Sequence, residues 1–179
     1  MLTQVAVFLL DAIIGFFTTL FMLRFLMQAF RVSFAGPFGN FIMQLTNWAV
    51  KPLRRVIPGF AGLDWSTAIA AFGLQLLLAV ALISLSGRDL SGDPAMLALM
   101  IGWFALRGLL RLMVYILIGG LILQAVMSWI NPYSPLAAPA EQLTRPILNP
   151  IRRFMPAISG IDLSPLVAIL LLQVVLMFL

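Results

Sequence analysis

Lys51-Pro-Leu-Arg-Arg-Val-Ile-Pro58 and Asn149-Pro-Ile-Arg-Arg-Phe-Met-Pro156 are one stretch written twice, 98 residues apart. Outward from it the match continues. Gly62-Leu-Asp-Trp-Ser66 falls on Gly160-Ile-Asp-Leu-Ser164, Gln44-Leu-Thr46 on Gln142-Leu-Thr144, and Leu74-Gln75 on Leu172-Gln173. Upstream the register slips by two residues, and Gln28-Ala29 meets Gln124-Ala125. Prolines, glycines and charges recurring at fixed spacing mark a duplicated unit rather than shared composition.

Apolar runs flank each basic stretch. A membrane-crossing helix needs about 20 mostly apolar residues. Four runs are candidates: residues 5–26, 65–84, 106–130 and the shorter 163–179; residues 96–106 are apolar too, and either extend the third run or lie in the interface. The sequence therefore predicts an all-α membrane protein with four transmembrane helices in two parallel repeats, each with an amphipathic cytoplasmic loop helix. The first repeat covers 1–86, an outer connecting loop 87–98 with Gly92 and Pro94 at the join, and the second repeat 99–179. Two spans per repeat return the chain to the side it started from. The repeats are then related by an axis along the membrane normal. Composition agrees, because 63% of the residues are hydrophobic and 9% charged. A soluble domain has about 45–50% and about 25%, so too few polar residues remain to cover a water-facing surface.

Charge sets the orientation. Arg24, Arg31, Lys51, Arg54, Arg55, Arg145, Arg152 and Arg153 fall in or beside the long loops, and only Arg88, Arg107 and Arg111 on the other side. Positive charge stays inside, so both long loops are expected in the cytoplasm and both termini outside, in the inner (plasma) membrane. Residues 1–10 contain no Lys or Arg and so read as a mature span, not a signal peptide. The net charge of +5 lies beside apolar spans. Anionic lipid of the bilayer is therefore the expected partner, and nucleic acid is not.

The chain has no Cys and no His. That excludes disulfides, thiol redox chemistry, Cys or His metal sites, and Ser-His or Cys-His catalysis. Carboxylates are not clustered, so no enzyme, catalytic residue, cofactor or metal is predicted. The ten Met residues read as packing material rather than haem or copper ligands.

Each loop has three parts. In the first, Phe38, Phe41, Ile42, Leu45, Trp48 and Ala49 recur at helical spacing, as an interfacial helix requires. The second copy, around Leu143, Ile147, Leu148 and Ile151, has the same tendency, but Pro146 and Pro150 predict a short or kinked helix. Next, Pro52 and Pro58, like Pro150 and Pro156, are expected to stop a regular helix and present the neighbouring arginines together. Lys51, Arg54, Arg55, Arg145, Arg152 and Arg153 are candidate contacts for lipid or a cytoplasmic partner. Serving only as topology determinants is the plain alternative. Last comes Gly62-x-Asp64-x-Ser66, matched by Gly160-x-Asp162-x-Ser164. The serines suit helix N-caps, and Pro165 suits a first turn. Asp64 and Asp162 either cap as well or lock onto the arginines ten residues earlier.

Ionisable groups inside spans are functional candidates. The upstream register sets Asp11 level with Arg107, and an intramembrane pair between them is expected. The alternative is that Arg107 and Arg111 snorkel to the outer interface. Gln75 and Gln173 are matched polar residues suited to interhelical hydrogen bonding.

The repeated pattern Thr-x5-Pro-x-Arg-Arg-x-x-Pro, then Gly-x-Asp-x-Ser-x8-Gln, resembles the YggT (YlmG) family in its two-repeat bacterial form. The first copy departs in having Trp65 and Thr67 where the second has Leu163 and Pro165. The resemblance implies a link to cell division, osmotic tolerance or, in plastids, nucleoid distribution and cytochrome maturation, and supplies no catalytic residues. The expected function is a non-enzymatic scaffold or assembly factor with membrane or cell-division protein partners. A small oligomeric transporter or channel in osmotic stress is the alternative.

Overall fold

The computed structural model describes residues 2–57, 59, 62–85, 93–131, 133–155 and 162–179. Pro58, Pro156, Gly160, Arg88 and residues 87–92 of the expected outer loop lie outside the described residues. Among the described residues there are six helices and no strand: α1 (Leu2–Ala29), α2 (Pro37–Val56), α3 (Trp65–Leu85), α4 (Pro94–Ile130), α5 (Ala137–Phe154) and α6 (Ser164–Phe178).

Three of these, within Thr3–Ala29, Trp65–Leu85 and Pro94–Ser128, are long and apolar enough to cross a membrane. α6 is equally apolar but has 15 residues, roughly 22 Å of helix against a core of about 30 Å. α4 starts at Pro94, so the apolar residues before 106 extend the helix, one of the two readings that the sequence leaves open. Asp93 accepts a hydrogen bond from the Ala95 N–H at 3.1 Å, and Pro94 takes the first turn. This capped start carries the apolar Met96–Leu106 run into the helix and removes the last residues of the expected outer loop.

The prolines also act differently from expectation. Pro52 lies inside α2, and Pro146 and Pro150 inside α5, and both helices run on through the arginine pairs. Each proline frees the carbonyl four residues back. All three sit on exposed positions, where such a carbonyl can be solvated. Arg54 and Arg55, like Arg152 and Arg153, therefore occupy the last helical turn.

α1 packs along α3 and α4 along α6. α2 rests on both α1 and α3, α5 on both α4 and α6, and α4 joins the halves through α1 and α3. The main core holds Phe21, Met27, Ile42, Val50, Ala71 and Leu117, and a smaller one Leu121, Leu148 and Ala168. On the loop side the Ser33 N–H bonds the Gln142 side-chain oxygen at 3.0 Å. Gly39 is required by a close approach, because a Cβ there would stand 2.5 Å from the Phe34 backbone. A small apolar crevice of about 150 Å³ lies between the halves, against Met27, Phe38, Gly120 and Leu143. Large apolar side chains including Phe8, Leu77, Trp103 and Leu171 remain exposed on the long helices and α6, as a surface solvated by lipid demands.

Candidate functional site

The site is built where α2 turns into α3. Arg54 and Arg55 sit at the helix C-terminus, where the exposed carbonyls favour cations. The chain leaves α2 through Ile57 and turns at Gly62, whose φ of +76° lies in the left-handed region that glycine enters without a Cβ penalty. Arg54 Nε donates to Asp64 Oδ2 at 3.1 Å, and Nη2 pairs with the same oxygen. Asp64 is 2% exposed and the Arg54 side chain 53%, so the guanidinium caps a buried carboxylate. Asp64 Oδ1 and Thr67 Oγ1 are buried without a hydrogen-bond partner. An open cleft of about 320 Å³ adjoins the pair, lined also by Gln28, Gly59 and Leu63. Burial pushes the Asp64 carboxyl up; the Arg54 guanidinium and neighbouring hydroxyls outweigh this and hold it below the usual carboxylate range.

The second loop repeats the pairing in the open. Arg152 Nε and Nη2 donate to Asp162 Oδ2 at 2.9 and 2.7 Å, with side chains 38% and 36% exposed. Asp162 Oδ1 accepts the Ser164 N–H at 2.9 Å and so caps α6. Burial pushes this carboxyl up too; contacts with Ser164 and Arg152 bring it below the usual value. Capping thus falls to an aspartate, and neither serine hydroxyl acts as the expected N-cap. Ser66 Oγ donates to the Ile57 carbonyl at 3.1 Å, tying the start of α3 to the end of α2, while Ser164 Oγ is buried without a partner. The reason is register: α3 and α6 begin at or before these serines, which places their hydroxyls inside the first turn.

The six candidate basic residues divide. Arg54 and Arg152 are committed to aspartates. Lys51, Arg55, Arg145 and Arg153 are exposed, and the ion pairs among the described residues do not include them. Pro52 and Pro150 lie beside them in the exposed last turns. Trp48 is exposed yet meets Phe17 and Phe21 of α1 at ring-centroid distances of 6.0 and 6.2 Å.

Sequence reasoning missed Arg24 except as a topology charge. It is 6% exposed on α1, and its Nη1 donates to Thr46 Oγ1 at 2.6 Å and Asn47 Oδ1 at 3.0 Å on α2. The available signal was Thr46, a polar residue at helical spacing with Ile42 and Val50 on the face that α2 buries. The second half solves the same junction differently. Gly120 stands where Arg24 does, and a Cβ there would meet Leu143 and Thr144 at 3.2 and 3.3 Å. Thr144 bonds Gln124 instead.

Asp11 and Arg107 are not brought together. Asp11 is exposed on an open cleft with Gln4, Phe8 and Leu82, turned toward the end of α3, and Arg107 is half-buried on α4. The ion pairs among the described residues are the two in the loops. Gln75 lies against α4 so closely that a Cβ on Gly108 would stand 2.3 Å from its Nε2. Among the described residues no group of metal-binding side chains gathers.

Long apolar helices, lipid-type surfaces and short basic helices beside them define the class: a helical protein of membrane type. The family follows from comparison with known proteins. The CCB3/YggT family model matches residues 3–85 and 103–179, and the chain belongs to that family. The chain is similar to the uncharacterised protein YggT of Escherichia coli K12, 35% identical over 170 residues, covering 94% of this chain and 85% of the relative. An uncharacterised protein of Pseudomonas aeruginosa is 31% identical over 176 residues, 97% of this chain and 87% of the relative. One from Vibrio alginolyticus is 35% identical over 170 residues, 93% and 88%. No solved structure matches the chain significantly.

Proposed function

We propose that this protein is a non-enzymatic inner-membrane scaffold or assembly factor, serving cell division or the maturation of a membrane complex, whose two basic helices engage anionic lipid or a cytoplasmic partner. α6 acts as the fourth span, because it packs along α4 as α3 packs along α1. Both loops face the cytoplasm and both termini face out. α2 and α5 lie in the interface as amphipathic helices. The observation that carries this reading is the division of the basic residues. Arg54 and Arg152 hold the loops closed, while Lys51, Arg55, Arg145 and Arg153 stay exposed. The exposed Trp48 on α2 suits headgroup depth. The crevice between the halves is small and apolar, which favours a scaffold over a pore.

The test is to replace Lys51, Arg55, Arg145 and Arg153 together with Gln and leave the two Arg–Asp pairs intact. Each charge contributes about 1 kcal/mol near an anionic leaflet. Phosphatidylglycerol retained by the purified protein, and crosslinks from the loops to cytoplasmic proteins, are then measured. The reading expects a severalfold drop in at least one. Wild-type levels of both would overturn it.

A further inference from the structure

Asp11 and Arg111 are both exposed, on α1 and α4 respectively, and neither takes part in the ion pairs among the described residues. Exposed apolar side chains surround them, Phe8, Leu9 and Ile13 on α1 and Phe104, Leu110 and Tyr115 on α4, with the uncharged polar Thr3 and Gln4 in the cleft beside Asp11. Ionisable side chains facing lipid are costly unless they find a partner.

Their depths match. Arg24 of α1 meets Thr46 of α2, and Gly120 of α4 meets Thr144 of α5. Taking these two contacts as level, the residues thirteen positions earlier, Asp11 and Arg107, are level too. A helical side chain leans toward the helix N-terminus over the preceding turn. The guanidinium of Arg111, one turn nearer the loop than Arg107, therefore comes to the level of the Asp11 carboxylate. Within one molecule the pair is not made, because Asp11 faces the open cleft beside Leu82 of α3.

We propose that Asp11 of one copy pairs with Arg111 of a second copy of this chain, forming the polar centre of an otherwise apolar lateral interface. Copies of a membrane protein share one orientation and are related by rotation about the membrane normal, which preserves depth. Opposite charges at equal depth are what such a rotation needs, whereas Arg107, half-buried, is the poorer donor to a neighbour. The inference rests on the proposed arrangement with both loops on one membrane face, and not on the scaffold role.

The chain has no cysteine, which makes the test clean. Phe8 and Phe104 are exposed, level by the same register, and lie toward the outer ends of α1 and α4 from Asp11 and Arg111. Phe8→Cys on one tagged copy and Phe104→Cys on a differently tagged copy are co-expressed at full length and oxidised in membranes. A mixed disulfide-linked dimer is expected. Asp11→Asn on the first copy lowers its yield roughly threefold or more, Asp11→Arg abolishes it, and Arg111→Asp on the partner restores it. Monodispersity of each purified variant shows whether it has folded, and Asp11→Asn alone decides the matter if the reversal does not fold. No mixed dimer in the parent pair overturns the proposal. So does a yield that Asp11→Asn leaves unchanged, or a folded double reversal without rescue.

Discussion

The two loops close with the same pair of residue types at the same spacing, and they close differently. In the first, Asp64 is buried beneath a half-exposed Arg54, and one carboxylate oxygen is left without a partner. In the second, Asp162 and Arg152 are both more than a third exposed, and every carboxylate oxygen is used, one on the guanidinium and one on the α6 backbone. The same split recurs beneath the loops. The first junction is charged, Arg24 on Thr46 and Asn47; the second is uncharged, a close approach of Gly120 to Leu143 and Thr144 with Thr144 bonded to Gln124. Identical motif residues thus carry unequal energies, because burial and not identity sets the strength of an ion pair.

Breaking the pairs one at a time exposes that inequality most strongly. Asp64→Asn leaves Arg54 over a buried site without its counter-charge and is expected to cost roughly 3 kcal/mol, read from equilibrium unfolding in mixed micelles. The junction residues come next, at roughly 2 kcal/mol each. Arg24→Ala removes two charge-assisted bonds and frees α2 from α1. Gly120→Leu overpacks against Leu143 and lifts α5 from α4. Cysteine accessibility scanned along α2 and α5 would show that each variant loosens its own half alone; loosening of both halves by either would erase the contrast. Asp162→Asn is expected to cost only about 0.5 kcal/mol by the same unfolding measurement, and a cost equal to that of Asp64→Asn would overturn the ranking.

Acid supplies the finest distinction. Both carboxyls are held below their ordinary value of 3.8. Each contributes stability that is complete well above that value and is lost as pH falls through the lowered one, when the group protonates. An acid titration from roughly pH 5 to about pH 2 followed by near-UV circular dichroism should therefore show a steeper loss in wild type than in Asp64→Asn. Asp162→Asn should stay close to wild type.

Much of this was legible along the chain. The apolar runs of α1 and α3 announce themselves, and the ten-residue spacing from Arg54 to Asp64 and from Arg152 to Asp162 is printed twice. The start of α4 was legible too, in the Asp93-Pro94 cap, but an unbroken apolar run after it offered no boundary to argue from. The passage of α2 and α5 through their prolines was not, because it depends on which side of each helix the finished structure leaves exposed. Arg24 and Asp11 mark the same limit. Each is a charge in a span by sequence, and only the packing of α2 and α3 around α1 shows that one is enclosed by hydroxyl and amide oxygens while the other faces outward. The relative burial of the two aspartates is likewise a tertiary fact, hidden by two motifs that read alike.

The length of α4 has a consequence of its own. Its 37 residues make roughly 55 Å of helix, against a hydrocarbon core of about 30 Å. A helix that much longer than the core must tilt or carry its ends out past the acyl chains, and each ångström of misfit left over costs a fraction of a kcal/mol. The capped start at Asp93 and Pro94 suits an end that reaches water, because an N–H that lipid would leave unpaired already has its acceptor there.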